Sequence, residues 1–179
     1  MGAFNLNGQF AVEHWYRGEL IDVRYQHNDT TNQGKVRFFE VGYNGSPQIT
    51  TFWLGLIDYT GYTAVAATDT YIGINAANGW EEFIAYTDTN NGDNAATRPL
   101  WTPNTAASGS IANTTKSLFT ITSSTGVVQG LFVVGGSSNA QTKNDHSSSN
   151  SILWATSVFS PVYPVFIGSV LRIIYTVNL

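Results

Sequence analysis

The sequence predicts an all-β protein, a jelly-roll-like antiparallel β-sandwich, on three observations. Roughly eight to ten short segments have strand character, and close-spaced turn residues separate them. Only 11% of the 179 residues are Asp, Glu, Lys or Arg, so Asn, Thr, Ser and Gly must form the polar surface, and these residues favour strands and turns over helix interiors. One segment alone has helical spacing. No repeat of fixed period is visible, which disfavours a propeller or a β-helix.

The first two segments predict a hairpin. QFAVEHWY (9–16) and ELIDVRY (19–25) are strand-like, and Arg17-Gly18 separates them. QITTFWLGLID (48–58) is the strongest early strand because it is rich in β-branched and aromatic residues. Asn-Gly pairs suit the positive φ angles of tight hairpin turns. They therefore predict turns at residues 7–8, 44–45, 78–79 and 91–92.

The segment with helical spacing is DTTNQGKVRFFEVGY (29–43). Asp29, Thr30 or Thr31 could serve as the N-cap, and apolar residues then recur three positions apart up to Gly42, where a helix would end. Gly34 weakens this interpretation by about 1 kcal/mol relative to Ala. We predict at most one short helix, at about residues 31–42, with a strand as the alternative.

The second half predicts further strands and one polar loop. The low-complexity stretch SSNAQTKNDHSSSNS (137–151) reads as an exposed loop, and 117–125 followed closely by 126–136 resembles a hairpin. In the final segment, 168–179, alternate residues from Leu171 are apolar, so Leu179 is expected to be a core residue. The strand segments are 79–88, 97–103, 117–125, 126–136, 152–160 and 168–179.

The length of the chain predicts one sandwich domain, residues 11–179, preceded by an extended N-terminal arm, residues 1–10. Phe4, Leu6 and Phe10 lie at even positions on this otherwise polar arm. We expect the arm to contact a partner, either by adding a strand to an exposed edge or by exchange between copies. The alternative is a frayed terminus.

Composition excludes several classes of function. The net charge is −4 and no Lys/Arg cluster occurs, so nucleic-acid binding is not expected. The chain has no cysteine, which rules out disulfides, thiolate metal sites and a thiol nucleophile. No apolar run approaches the about 18 residues of a membrane helix, and the first ten residues lack the features of a secretory signal.

The titratable residues predict no active site, no cofactor and no metal centre. The three histidines are far apart, and His14 is expected on the surface of its strand. Glu81 and Glu82 are neighbours, so on a strand they point to opposite faces and cannot flank one glycosidic bond. We expect one of them to face solvent and the other to pair with a basic residue. His146 beside Asp145 lies in the polar loop, where adjacency alone does not make a catalytic triad.

The tryptophans leave a second class of function open. Trp53 and Trp154 lie in apolar strands and are expected in the core. Trp101, flanked by Pro99 and Pro103, is the best candidate for an exposed aromatic platform that stacks on a sugar ring.

The order of the motifs resembles a family of known proteins. TTFWLGLIDYTGYTAVAATDT (50–70), GWEEFIAYTD (79–88), TRPLWTP (97–103), LFTITSSTGVVQGLFVVGG (118–136), SILWATSVFS (151–160) and GSVLRIIYTVNL (168–179) follow one another along most of the chain. In this order and spacing they are similar to the jelly-roll cement or decoration proteins of tailed-bacteriophage heads. Relatives tend to have an acidic turn before the last strand, where this chain has Gly168-Ser169.

The resemblance implies a non-enzymatic virion protein on the outer surface of the phage head. Its partner would be the major capsid protein, whose subunits it would bridge, and it would form a homo-oligomer, either a dimer or a trimer. A tail or collar position, or a lectin-like domain that binds host surface polysaccharide, is the alternative. The candidate contact residues are Phe4, Leu6, Phe10, Trp101 and Leu179.

Overall fold

Two packed β-sheet layers and one helix make up residues 6–179, the part of the chain that the computed structural model describes. The all-β fold with a single helix is therefore confirmed. The helix is α1 (Asn32–Tyr43), and the strands are β1 (Asn7–Tyr16), β2 (Glu19–Thr30), β3 (Phe52–Asp58), β4 (Glu82–Phe83), β5 (Tyr86–Asp88), β6 (Leu100–Trp101), β7 (Ser110–Ala112), β8 (Ser117–Ile121), β9 (Gly126–Gly135), β10 (Ile152–Val165) and β11 (Ser169–Asn178).

The strands follow the order β4-β3-β9-β10-β2-β1-β11-β8-β5, and all their pairings are antiparallel. The first layer contains β4, β3, β9 and β10, and the second contains β2, β1, β11, β8 and β5. The layers meet at two corners. At one, β2 pairs with β10 through Thr30 and Ala155; at the other, the chain passes directly from β4 to β5. The sandwich is therefore nearly closed.

The predicted opening hairpin is confirmed, whereas the turn predicted at residues 7–8 is wrong. Arg17 and Gly18 both have positive φ, 52° and 83°, as a tight hairpin turn requires. Gly8 lies inside β1 opposite Val177 of β11. Residues 7–10 of the predicted arm thus belong to a strand paired on both sides, which corrects the domain boundary at residue 11.

Helix α1 begins and ends within one residue of the prediction. Thr31 is the N-cap, and its hydroxyl accepts a hydrogen bond from the backbone N–H of Gly34 at 3.1 Å. Gly34 is required by close packing, because an added Cβ would lie 2.5 Å from the carbonyl oxygen of Trp154 on β10. The glycine that weakened the helix prediction is therefore where the helix contacts the sheet.

Two strands that resembled a hairpin lie in different layers. β8 pairs with β5 and β11, whereas β9 pairs with β3 and β10. The main core lies between the layers, and a second core covers the outer side of β3 and β9 around Trp53, Trp80 and Phe132. Because both faces of β9 are buried, its sequence is apolar apart from Gln129 and shows no alternation that would indicate which face is inward.

The segment 137–151, predicted as an exposed loop, is partly buried. It contains a short 3-10 helix, Ser138–Gln141, and Ala140 belongs to the second core. The segment lies between the solvent and the outer side of the first layer. A mostly polar sequence can therefore contribute one buried residue, Ala140, to the second core.

Candidate functional site: an apolar sheet face

The outward side of the second layer is a broad, regular surface. In β1, even-numbered residues point into the core and odd-numbered residues point outward. Strand β11 is antiparallel to β1, and its even-numbered residues point outward. Paired positions across β2, β1 and β11 then form rows such as Tyr25, Ala11 and Ile174. We call this surface the outer sheet face; its residues are Ala11, Glu13, Trp15, Leu20, Ile21, Val23, Tyr25, Lys116, Leu118, Thr120, Val170, Arg172 and Ile174.

Strand β2 exposes the most apolar part of this face. Leu20, Ile21, Val23 and Tyr25, which we call the β2 strip, are 48%, 56%, 39% and 65% exposed. A bulge between the β1–β2 pairs at His14 and Trp15 allows Leu20 to lie opposite Trp15 and leaves Ile21 without an opposite residue. Exposed apolar residues are usually scattered singly, so four of them on one strand make this strip the candidate contact surface.

The same end of the sandwich carries two more exposed apolar residues. Phe166 and Ile167, in the turn between β10 and β11, are exposed, and the ring of Phe166 lies 6.1 Å from that of Tyr16 at the end of β1. The hairpin end of β1 and β2 and the turn before β11 therefore extend the apolar surface beyond the sheet.

Charges on the outer sheet face are matched with one another. Glu13 accepts hydrogen bonds from Lys116 Nζ at 2.6 Å and from Trp15 Nε1 at 2.9 Å. The Lys116 hydrogen bond, followed by that of Trp15, lowers the pKa of Glu13. Arg172 lies over the Trp15 ring at 4.3 Å from its centroid. Glu13 is thus paired with Lys116 and Arg172 lies on the Trp15 ring, and the apolar strip lies beside these groups.

Two of the predicted contact residues are buried in the structure, and a third is not among the residues that it describes. Phe10 is fully buried and stacks on Tyr175 at 4.4 Å between ring centroids, so it is a core residue. Trp101 is buried, and its Nε1 donates to the carbonyl oxygen of Tyr175 at 3.0 Å, so it is no exposed sugar platform. Phe4 lies outside the described residues. The period-two pattern placed Phe10 on the apolar side of its segment but could not show that β1 pairs with a strand on each side.

Leu6, Trp101 and Leu179 line one apolar cavity of about 410 Å³. Leu6 is buried, whereas Leu179 is 66% exposed, so the prediction of a core residue at position 179 is wrong. Leu179 follows the last β11 residue, Asn178, and its N–H donates to Gly109. The cavity brings three of the predicted contact residues together at one end of the sandwich, between α1 and the chain around Pro103.

A buried ionic cluster ties three distant segments together at the corner between β4 and β5. Glu82 and Arg98 have fully buried side chains, and Arg98 donates from Nε and from a terminal nitrogen to the two carboxylate oxygens, each at 2.7 Å. Arg98 also donates to the carbonyl of Ala140 at 2.6 Å, and the N–H of Asn144 donates to Glu82 at 2.8 Å. His146 Nε2 lies 2.9 Å from Arg98 and 3.2 Å from Glu82.

The charges of Glu82 and Arg98 are balanced within the cluster. Burial alone would raise the pKa of Glu82, but the Arg98 charge and the hydrogen bonds of His146, Arg98 and Asn144 outweigh it and lower that pKa to about 2. The carboxylate is therefore ionised at neutral pH and is engaged on both oxygens. The prediction that one of Glu81 and Glu82 faces solvent while the other pairs with a basic residue is confirmed.

Sequence reasoning missed this cluster, because its members come from residues 82, 98 and 140–146 and no spacing motif links them. It also placed His14 on the surface, whereas the ring is buried with its Nε2 2.9 Å from the Ser169 hydroxyl. The buried residues of β1 are all even-numbered, so the alternation that contains Phe10 and Val12 was the available signal.

Comparison with protein-family models, with curated proteins and with solved structures finds no match to this chain. Among the described residues, no helix is both long and apolar enough to cross a bilayer. Within residues 6–179, no three His, Cys, Asp or Glu side chains converge in a way that could hold a metal ion.

Proposed function

We propose that the protein is a bacteriophage capsid cement protein that binds the outer surface of the shell and bridges subunits of the major capsid protein. In this proposal it is a structural protein of the virion, without catalytic activity, and works as a homo-oligomer. The observation that supports it best is the outer sheet face with its β2 strip, where four large apolar side chains are 39–65% exposed on one strand.

The geometry of the face fits contact with a broad partner. Strands β2, β1, β11 and β8 lie side by side, so the exposed side chains form a surface and not a pocket. Covering apolar surface contributes about 25 cal/mol per Å² before the costs of association are subtracted. A contact of modest area, repeated over many copies on a shell, would add substantial resistance to internal pressure.

Low charge also supports a contact that tolerates changes of salt. Only 11% of the residues are charged, and the charged groups of the face, Glu13, Lys116 and Arg172, already have partners in the protein. Salt screens interactions between exposed charges and has less effect on apolar contacts and hydrogen bonds. The proposed contact should therefore persist at high ionic strength.

The test uses the particles themselves. Heads that contain the protein are compared with heads from which it has been deleted or stripped, and both are heated while genome release is recorded. The proposal expects copurification with intact heads in a fixed ratio to the major capsid protein, and earlier genome release from heads that lack the protein. Absence from purified heads, or the same release temperature in both preparations, would contradict it.

A further inference from the structure

Strand β2 has a free edge along most of its length. On one side it pairs with β1 from Glu19 to Asn28. On the other side it pairs with β10 only at Asp29 and Thr30. Within residues 6–179, the part of β2 before Asp29 therefore has a strand on one side only. A free edge that carries large apolar side chains is a template for pairing with a further strand.

The backbone of the odd-numbered β2 residues points to this free edge. The carbonyl of His27 accepts a hydrogen bond from the Ser157 hydroxyl of β10 at 2.7 Å, so it points away from β1. Backbone groups alternate between the two sides of a strand, so the N–H and C=O groups of Val23 and Tyr25 point the same way as those of His27. The bulge in β2 lies at Ile21, before this stretch, and does not interrupt the alternation.

Strand β10 does not cover this edge. Arg24 points to the core side of β2, where its guanidinium lies 4.1 Å from the centroid of the Tyr163 ring and donates to the carbonyl of Pro161 at 2.5 Å. The second half of β10 thus crosses the core side of β2 and does not lie beside it. Val23 and Tyr25 are exposed on the opposite side.

We propose that two copies of the protein associate through this edge, with β2 antiparallel to β2 and Val23 on the two-fold axis. In this register, Asp22 of each copy lies opposite Arg24 of the other, and Ile21 lies close to Tyr25 of the other. A two-fold axis at Asp22 or at Arg24 sets two like charges against each other. Opposite charges across a strand pair stabilise it and like charges destabilise it, so charge selects the register centred on Val23.

The guanidinium of Arg24 has a nitrogen available for this contact. Within its own chain, Arg24 donates from Nε to Asp22 at 2.8 Å and from Nη1 to Pro161. Its Nη2 has no acceptor in residues 6–179, and the side chains of Arg24 and Asp22 are 20% and 40% exposed. Asp22 of the second copy supplies an acceptor for Nη2.

The pairing joins the outer sheet faces of the two copies. A two-fold axis between antiparallel strands is perpendicular to the sheet, so both faces point the same way and the two β2 strips lie next to each other. The inference rests on the homo-oligomer of the proposed function and specifies its contact as a closed dimer. Its test uses the purified protein without heads, so failure of the dimer is distinguishable from failure of head binding.

Disulfide trapping tests the contact and its register, because the chain has no cysteine of its own. Opposite residues in a hydrogen-bonded antiparallel pair have Cα atoms about 5.5 Å apart, which a disulfide can span. With oxidised glutathione, Val23→Cys should form a linked dimer at least about tenfold faster than Ile72→Cys, a more exposed position elsewhere. Tyr25→Cys should also link slowly, since its two thiols lie on either side of the axis, about 14 Å apart along the strands.

Sedimentation equilibrium measures the association itself. The wild type should form a dimer with a Kd of about 1–100 µM, as expected for a small interface. Val23→Pro should raise this Kd about tenfold or more, because proline removes an edge N–H that has no partner within the chain. The proposal is overturned if the wild type is monomeric at about 0.5 mM, if it forms a species larger than a dimer, or if Val23→Pro has an unchanged Kd. If Val23→Pro does not fold, equal rates of linking in Val23→Cys and either other cysteine variant overturn it.

Discussion

Two glutamates in this protein each pair with a cation, and their surroundings give the pairs opposite roles. Glu82 and Arg98 are fully buried at the corner between β4 and β5, where they join segments from three parts of the chain. Glu13 and Lys116 lie on the outer sheet face, with side chains 24% and 36% exposed. The buried pair holds the fold together, whereas the exposed pair sets the charge of a surface that can contact a partner.

The comparison predicts that one region of this fold determines its stability and another determines its association with other molecules. Removing one partner from a buried pair leaves an uncompensated charge inside the protein, whereas an exposed pair exchanges its partner for water. Substitutions at the corner should therefore alter folding, and substitutions on the outer sheet face should alter association with little effect on folding.

The largest effect is expected at Arg98. Arg98→Met should lower the free energy of unfolding by about 3–5 kcal/mol, because Glu82 remains buried without its counter-charge. The double variant Glu82→Leu with Arg98→Met should recover part of this loss, since no unpaired charge remains. Urea unfolding of the three proteins measures both values. Equal stability of Arg98→Met and the wild type would contradict the role assigned to the buried pair.

Acid should destabilise the buried ion pair at the corner between β4 and β5. The pKa of Glu82 is lowered from 4.5 to about 2 in the folded protein, so its contribution is complete above pH 4.5 and is lost as the pH falls toward 2. The shift corresponds to about 3 kcal/mol. Unfolding free energies measured across this range should decline, and Glu82→Gln should show a flatter decline. A parallel decline in both proteins would contradict the assignment.

Asp88 should act in the opposite direction. Burial raises its pKa in the folded state, so protonation stabilises the fold as the pH falls through that raised value toward the ordinary value of about 3.9. Asp88→Asn removes this gain, and its stability should fall more steeply on acidification than that of the wild type. Urea midpoints at a series of acidic pH values give the two slopes. A shallower slope in the variant would be the wrong sign.

The exposed pair should contribute little to folding. Lys116→Met should change the free energy of unfolding by less than about 1 kcal/mol, because the partly exposed Glu13 keeps the Trp15 hydrogen bond and gains water. The change should shrink further at 1 M NaCl. Urea unfolding at low and high salt checks this, and a loss as large as that of Arg98→Met would remove the distinction between the two regions.

The smallest effect on folding is expected on the β2 strip. Ile21→Glu with Tyr25→Glu should change the free energy of unfolding by about 0.5 kcal/mol or less per site, as is usual for exposed positions without a charged cross-strand neighbour. Thermal unfolding of the double variant measures this. A loss of several kcal/mol would mean that the strip belongs to the core of the protein.

The sequence was sufficient for the fold class, for most strands and for helix α1, because these depend on local periodicity and capping. The helix was predicted from three candidate N-caps, one of which was Thr31, and from the spacing after them, and Arg17-Gly18 predicted the hairpin. The change of layer between β8 and β9 could not be predicted, since both segments are strand-like and nothing local distinguishes such a change from a hairpin.

The contact residues were predicted less well, because burial depends on partners that are distant in sequence. Phe10 lies in a polar stretch but has β2 on one side and β11 on the other. Trp101 lies between two prolines, but its side chain is buried and its Nε1 donates to the carbonyl oxygen of Tyr175. Residues 19–25 were predicted as a strand, yet only the open side of the sheet shows that Tyr25 faces solvent.

The central claim is that the outer sheet face attaches the protein to the capsid, and rebinding to stripped heads tests it most directly. Wild-type protein should bind stripped heads to saturation and restore their heat resistance. Ile21→Glu with Tyr25→Glu should bind at least about tenfold more weakly, while the matched variant Tyr59→Glu with Ile72→Glu, at similarly exposed positions elsewhere, should bind normally. If the β2 variant saturates and protects the heads as the wild type does, the claim is wrong.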